Sequence, residues 1–179
     1  MSHRFISLIA LLICIFSSCD TLRKPLLINS KNGGVFLDNK TEIKPGMNKK
    51  EVLKKHPEWI TDSLNISNGY SWIYYKNFKS EKTTFDLRLC FFENKFCGIN
   101  LFIDDFEKEA KTIKPDWNKD HPKSQFNLLK YWLTNQVGTE REFNWGVIYE
   151  DFQGVYSKIK EFVPKGHFAN RYPHKLKYN

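Results

Sequence analysis

YSWIYYKNFKSEKTTFDLRLCFFENKFCGINLFI, residues 70–103, decides the fold. Three runs of alternating apolar residues lie in it, at 70–78, 83–92 and 96–103. Strand side chains point alternately to opposite faces, so a period of two predicts half-buried strands. Phe85, Leu87, Leu89 and Phe91 share one face of the second run; Ile99, Leu101 and Ile103 share one face of the third. Asn68 and Gly69 mark a turn before the first run.

The same stretch carries two sets of candidate site residues. Tyr70, Trp72 and Tyr74 stand on one face of the first strand, and Ser71, Ile73 and Tyr75 on the other. A sheet covered by helices on one side leaves its other side open. An outward aromatic row would be a protein-binding platform, because Trp and Tyr dominate interface hot spots; an inward row would be core. Cys90 and Cys97 flank the tight turn between the second and third strands. If that turn centres on Glu93 and Asn94 the two cysteines sit opposite each other and can bridge; with a three-residue loop they point to opposite faces and cannot.

Upstream, IKPGMNKKEVLKKHP (43–57) predicts a short capped helix. Asn48 is a good N-cap, Glu51 at N3 can return a bond to the cap backbone, and Met47 with Val52 makes a hydrophobic staple. The helix ends before Pro57, since the residue preceding a proline avoids the helical region. This stretch resembles the opening of the SmpA/OmlA family of small outer-membrane lipoproteins, in which an aliphatic and a spacer precede Pro-Gly-Met, a capping residue and a helix with Val-Leu. The resemblance covers about residues 43–104. It implies two short helices packed on a three-stranded antiparallel sheet, the fold of β-lactamase-inhibitor-protein-like domains, and a role in outer-membrane assembly or maintenance.

Further upstream, MSHRFISLIALLICIFSSCDTL opens the chain. A positive Arg4, an apolar run at 5–16 and the small Ser17 and Ser18 read as a signal peptide, too short in its apolar part to span a bilayer. Cys19 follows at once, as in a bacterial lipoprotein signal, where the cysteine becomes the new N-terminus and carries acyl chains. The alternative is an ordinary secretory signal with a chance cysteine. Residues 19–40 have little periodicity and read as a lipidated tether, with one short strand around Val35, Phe36 and Leu37.

Downstream, 104–120 is polar and broken by Pro115, a loop or frayed helix. Asp120 caps a second helix, with Pro122 in its first turn, Phe126, Leu129, Leu133 and Val137 on one stripe, Trp132 beside it and Gly138 as its stop. A hairpin follows: 143–150 alternates through Phe143, Trp145, Val147 and Tyr149, Gln153 and Gly154 turn, and 155–163 returns. Trp145 and Tyr149 join the protein-binding candidates. The basic tail, 164–179, has few apolar residues. The expected class is α+β: short helices on one face of an antiparallel sheet, in a domain at 41–163 that could divide into helix-plus-hairpin units at 41–104 and 120–163.

Chemistry-bearing patterns are sparse. There is no GxSxG, HExxH or phosphate-binding glycine loop. His56 and His121 sit at helix ends, His167 and His174 in the tail. Asp104, Asp105, Glu107 and Glu109 lack the glycine and terminal glutamate of a calcium loop and read as a solvated face. No catalytic residue, metal or cofactor is expected. The formal charge of +8, with 16% aromatic residues, suits a globular chain near anionic surfaces or simply a soluble one. The expected job is a non-enzymatic module that binds or scaffolds an envelope protein from the periplasmic side of the outer membrane, with no nucleic acid and no small-molecule substrate. The alternatives are an inhibitor or immunity-type lipoprotein that blocks a secreted enzyme, and a small envelope hydrolase.

Two or more acyl chains anchor stably, at about 0.8 kcal/mol per buried methylene. Cys19→Ala should release the protein from membranes or leave it as precursor, read by fractionation and mass. Unchanged fractionation and mass would contradict lipidation.

Overall fold

The computed structural model describes residues 27–66, 68–80, 83–103, 106–114, 116, 118, 124–151 and 153–162. The signal segment, Cys19, the Asp120 cap with His121 and Pro122, and the tail with His167 and His174 lie outside them, as do Asp104 and Asp105.

The three strands read from 70–103 form as β4 (Tyr70–Ser80), β5 (Thr83–Phe92) and β6 (Lys95–Ile103). They are antiparallel neighbours, and the short β3 (Asp62–Asn65) pairs on the outer side of β4. Helices α2 (Phe106–Ile113) and α3 (Ser124–Val137) then cross one face of the sheet. The chain returns as β7 (Glu142–Phe143), β8 (Gly146–Glu150) and β9 (Val155–Ile159). β9 pairs antiparallel with β6, which gives one seven-stranded sheet of order β3-β4-β5-β6-β9-β8-β7. The sheet is therefore larger than the three strands the family resemblance implies. The two hairpins share it, because backbone groups on β6 left open by the first hairpin are taken up by the second.

The core lies on the helix side. Ile73, Tyr75, Phe85, Leu87, Leu89, Phe91, Ile99, Leu101 and Ile103 meet Ala110 of α2 and Leu128, Leu129 and Leu133 of α3. Trp132 packs on Phe85 with ring centroids 5.0 Å apart. The buried side of α3 is Leu128, Leu129, Trp132, Leu133 and Gln136. It is turned from the expected stripe, so Phe126 and Val137 are only half-buried. The polar 104–120 region, read as a loop or frayed helix, contains α2 and is held by buried Ala110.

The short strand expected around Val35 forms, but residues 27–40 are packed into the fold where a tether was expected. β1 (Val35–Phe36) pairs with β2 (Glu42–Ile43), and Leu27, Ile28, Val35 and Leu37 are buried. Their four apolar side chains are too dispersed to show a period, but together they cap the core. The Leu27 N–H donates to Gln136 Oε1 at 2.9 Å, at the C-terminal end of the buried side of α3. Trp145 corrects a second expectation. It lies in the two-residue turn between β7 and β8 rather than on a strand with Val147 and Tyr149. There its Nε1 donates to the Ser30 carbonyl at 2.8 Å. Its ring lies against Gly33, where a Cβ would come within 2.5 Å of ring carbon. Trp145 fastens the N-terminal segment and is withdrawn from the binding candidates.

Helix α1 (Lys49–Val52) starts where the sequence places it. Asn48 Oδ1 accepts from the Lys50 N–H at 2.9 Å, and the Asn48 N–H donates to Glu51 Oε2 at 3.3 Å. Val52 is fully buried, and Met47 packs against the core. The approach to this helix also completes the sheet. β9 pairs with β6 only over 98–101, and below that Gly46 and Met47 exchange backbone bonds with Phe96.

The helix spans four residues, so it cannot persist without its cap and its packing. Asn48→Ala should lower stability by about 1 kcal/mol, measured by denaturant unfolding. A value near zero would mean that the backbone bonds to Phe96 alone fix this segment.

A candidate docking face

Strand alternation places a second set of side chains on the face away from the helices. The cross-strand register lines them up in rows. One row runs Asp62, Tyr74, Arg88, Asn100, Tyr156 and Tyr149, across six strands. The adjacent row runs Leu64, Trp72, Cys90, Gly98, Lys158 and Val147. Tyr70 and Phe92 pair beyond it, with ring centroids 4.9 Å apart. The buried apolar residues of all three helices belong to the core on the other side. Of the candidates read from sequence, Tyr70, Trp72, Tyr74 and Tyr149 therefore come together on this one face, half-buried.

The rings brace one another. Tyr149 stacks on Tyr156 at 5.3 Å, and Tyr156 meets Phe102 edge-on at 5.8 Å. The Arg88 guanidinium lies 4.4 Å from the Phe102 ring centre and 5.3 Å from that of Tyr74. Such contacts draw a cation to the negative ring face, and they fix Arg88 in place. Arg88, Phe102 and Tyr156 were not singled out from sequence. Arg88 reads there as the polar partner in an ordinary alternation, and only the register shows that it stands among rings. Burial raises the Tyr70 hydroxyl to about 12, and it also raises that of Tyr156, with Asp151 as a second cause. Both stay neutral donors at physiological pH.

Cys90 and Cys97 lie beneath this face, packed by Tyr70, Trp72, Phe92 and Phe162. The turn does centre on Glu93 and Asn94, both at positive φ as a tight hairpin requires. A bulge follows at once, so Cys90 pairs with Gly98 and not with Cys97. Of the two outcomes left open by the sequence, bridged or unbridged, the structure holds two free thiols. A hydrogen bond to Cys97, and then burial, push the Cys90 thiol well up. That keeps the Cys90 thiol neutral, which suits packing and not nucleophilic attack.

One cluster of titratable side chains lies elsewhere. His56 Nδ1 is 3.1 Å from Glu58 Oε1, and Nε2 is 2.6 Å from Asp38 Oδ2 and 3.2 Å from Thr41 Oγ1. Hydroxyl, imidazole and carboxylate in line would be the parts of an activated nucleophile. Here Thr41 Oγ1 donates to Asp38 Oδ2 at 3.1 Å, so its proton is held by a carboxylate and the imidazole faces that same oxygen. The arrangement instead ties residues 38–41 to the turn at Pro57–Trp59. His56 is left-handed, φ 49°, a conformation that costs a non-glycine residue about 1–3 kcal/mol. Its two carboxylate contacts and its stacking on Trp59 at 3.9 Å offset that cost. Among the described residues, no three His, Cys, Asp or Glu side chains group as a metal site.

The Lys40 N–H, then the Thr41 N–H and the His56 ring, hold the Asp38 carboxyl down to about 2. A folded-state value below the unfolded one means stability that is present above the ordinary carboxylate value of 3.8 and is lost as pH falls toward 2. Asp38→Asn should therefore melt below wild type at neutral pH, and the gap should close between pH 3.8 and about 2. A gap that stays constant across that window would remove Asp38 as the tie.

Comparison with known proteins adds no relative: no family model matches the chain, and neither the curated proteins nor the solved structures hold a match.

Proposed function

We propose that this chain is a lipoprotein of the bacterial cell envelope, anchored through Cys19 at the outer membrane, that binds or scaffolds another envelope protein without catalysing a reaction. The observation that carries the reading is the half-buried aromatic face around Tyr70, Trp72, Tyr74, Phe102, Tyr149 and Tyr156. A sheet with one face in water ordinarily alternates to polar residues on that side. Here six of the outward positions are aromatic, pre-ordered by ring contacts, and mounted on paired strands. Rigid aromatic anchors lose little side-chain freedom on association, which is one of the larger costs of binding. The resemblance of residues 43–104 to SmpA/OmlA lipoproteins points to the same class of partner, a component of outer-membrane assembly or maintenance. The anchor would hold the domain at the membrane through residues 19–26, which precede Leu27, the first buried residue among the described ones.

Trp72 separates this reading from a purely structural one. It is half-buried over Cys90 and Cys97, outside the main core. Trp72→Ala should cost clearly less stability than the 3–5 kcal/mol typical of a core tryptophan. It should also weaken capture of a partner from envelope extracts by about 2 kcal/mol or more. If the partner is retained by Trp72→Ala and by Tyr74→Ala alike, this face is not where it binds.

A further inference from the structure

The middle of the face carries a group whose bonding capacity is unspent. Arg88 makes no hydrogen bond and no ion pair among the described residues; its contacts are the Tyr74 and Phe102 rings. A guanidinium has five N–H donors in a fixed planar fork that matches a carboxylate two bonds at a time. Asp86, Asp62 and Asp151 are the acids placed around this row, and Asp151 is bonded to the Tyr156 hydroxyl. Asp86, two residues back on the same strand, accepts from the Asn77 N–H at 3.3 Å. Asp62 stands beyond Tyr74 in the row, on the outer strand. On its other side Arg88 is paired with Asn100, and Lys158 in the adjacent row adds a second positive charge. Rings on both sides keep water from part of the guanidinium, and an ion pair formed there would be screened less than one at a free surface.

We propose that the partner of this face presents an Asp or Glu side chain flanked by apolar residues, whose carboxylate takes the Arg88 fork in two parallel bonds while its neighbours pack on Tyr74, Phe102 and Trp72. This rests on the docking face proposed above and names the chemistry that the face selects. The pattern is that of an interface hot spot: a charged pair at the centre, enclosed by aromatic contacts that exclude water. Bidentate charge-assisted bonding gives direction as well as strength, so the partner's acid would set its register on the strands. A phosphorylated or glycan partner would have to satisfy the same fork without the apolar flanks that the surrounding rings fit.

The test uses a phage-displayed library of short random peptides, panned against the full chain in detergent. Selected peptides should be enriched in Asp or Glu next to aromatic or aliphatic residues. Their affinity should fall about tenfold to a hundredfold on Arg88→Met, since hydrogen bonds to charged groups carry that much. Arg88→Lys, which keeps the charge and loses the fork, should recover part of it, and it serves as the folded control if the methionine variant melts early. Binding should weaken as salt is raised. Peptides that bind Arg88→Met as well as wild type overturn the inference. If those same peptides are lost on Trp72→Ala, the face stands and only its acid preference fails; if they bind Trp72→Ala unchanged, the docking face fails too. A library that yields no acidic binder also counts against the inference. So does concentration-dependent sedimentation of the wild type that Arg88→Met abolishes, because the occupant would then be a second copy of the chain.

Discussion

Four residue pairs join the two halves of this sheet: Gly98, Ile99, Asn100 and Leu101 against Lys158, Ser157, Tyr156 and Val155. Everything on either face depends on that register. On the inner face it sets Val155 beside Leu101 and lets the Ile99 N–H reach Ser157 Oγ at 3.2 Å, which gives a buried hydroxyl a partner. On the outer face it sets Tyr156 beside Asn100, and so brings Tyr149 into line with Arg88 and Tyr74. A slip of one residue would send every side chain of β9 to the wrong face. Gly98 is part of the reason the register holds, because the Ser157 carbonyl lies where its Cβ would be. Any larger residue there would push the two halves apart.

That junction is also the least legible part of the fold. The alternation at 70–103 places three strands nearly to the residue, since period-two burial is written locally. The cap at Asn48 is equally local. The β6–β9 pairing joins residues more than fifty positions apart, and nothing within either strand names its neighbour. The second hairpin therefore reads equally well as a separate unit. Residues 27–40 fail for a related reason. Leu27, Ile28, Val35 and Leu37 are each buried by contacts made elsewhere in the chain, and four scattered apolar residues among Asn, Lys and Gly look like a tether. Trp145 was legible as an aromatic in an alternating run. Its turn, set by the two short strands on either side, puts it over Gly33 instead.

The fastening of the N-terminal segment follows one physical pattern. Large rings lie on glycines: Trp145 on Gly33, and Phe162 on Gly46, where a Cβ would come within 2.5 Å of the ring. Short polar contacts close the loops between them, with Asp38 held by Lys40, Thr41 and His56, and Glu42 Oε1 accepting from Asn29 and Asn32 at 2.7 and 3.1 Å. Both ring contacts need a residue without a side chain, at positive φ, in a segment rich in Asn and Gly. The composition that makes the segment look unstructured is the composition that lets the rings close on it.

The outer strand is the other surface from which a partner could be gripped, and magnitudes separate it from the aromatic face. Among the described residues nothing pairs with the outer backbone edge of β3, and Leu64 and Ile66 are each 45% exposed. It is four residues long, and antiparallel pairing turns alternate residues toward β4, so about half of its backbone groups remain for an added strand. Each such bond contributes a net 0.5–1.5 kcal/mol, roughly, against the entropy of ordering an extended peptide. A buried aromatic or arginine anchor contributes about 2 kcal/mol or more, and several of them stand together in the row through Arg88. Leu64 is opposite Trp72, on the same side of the sheet. The edge therefore extends the aromatic face by one strand and does not compete with it: a partner seated over Arg88 and Trp72 would bury Leu64 as its rim.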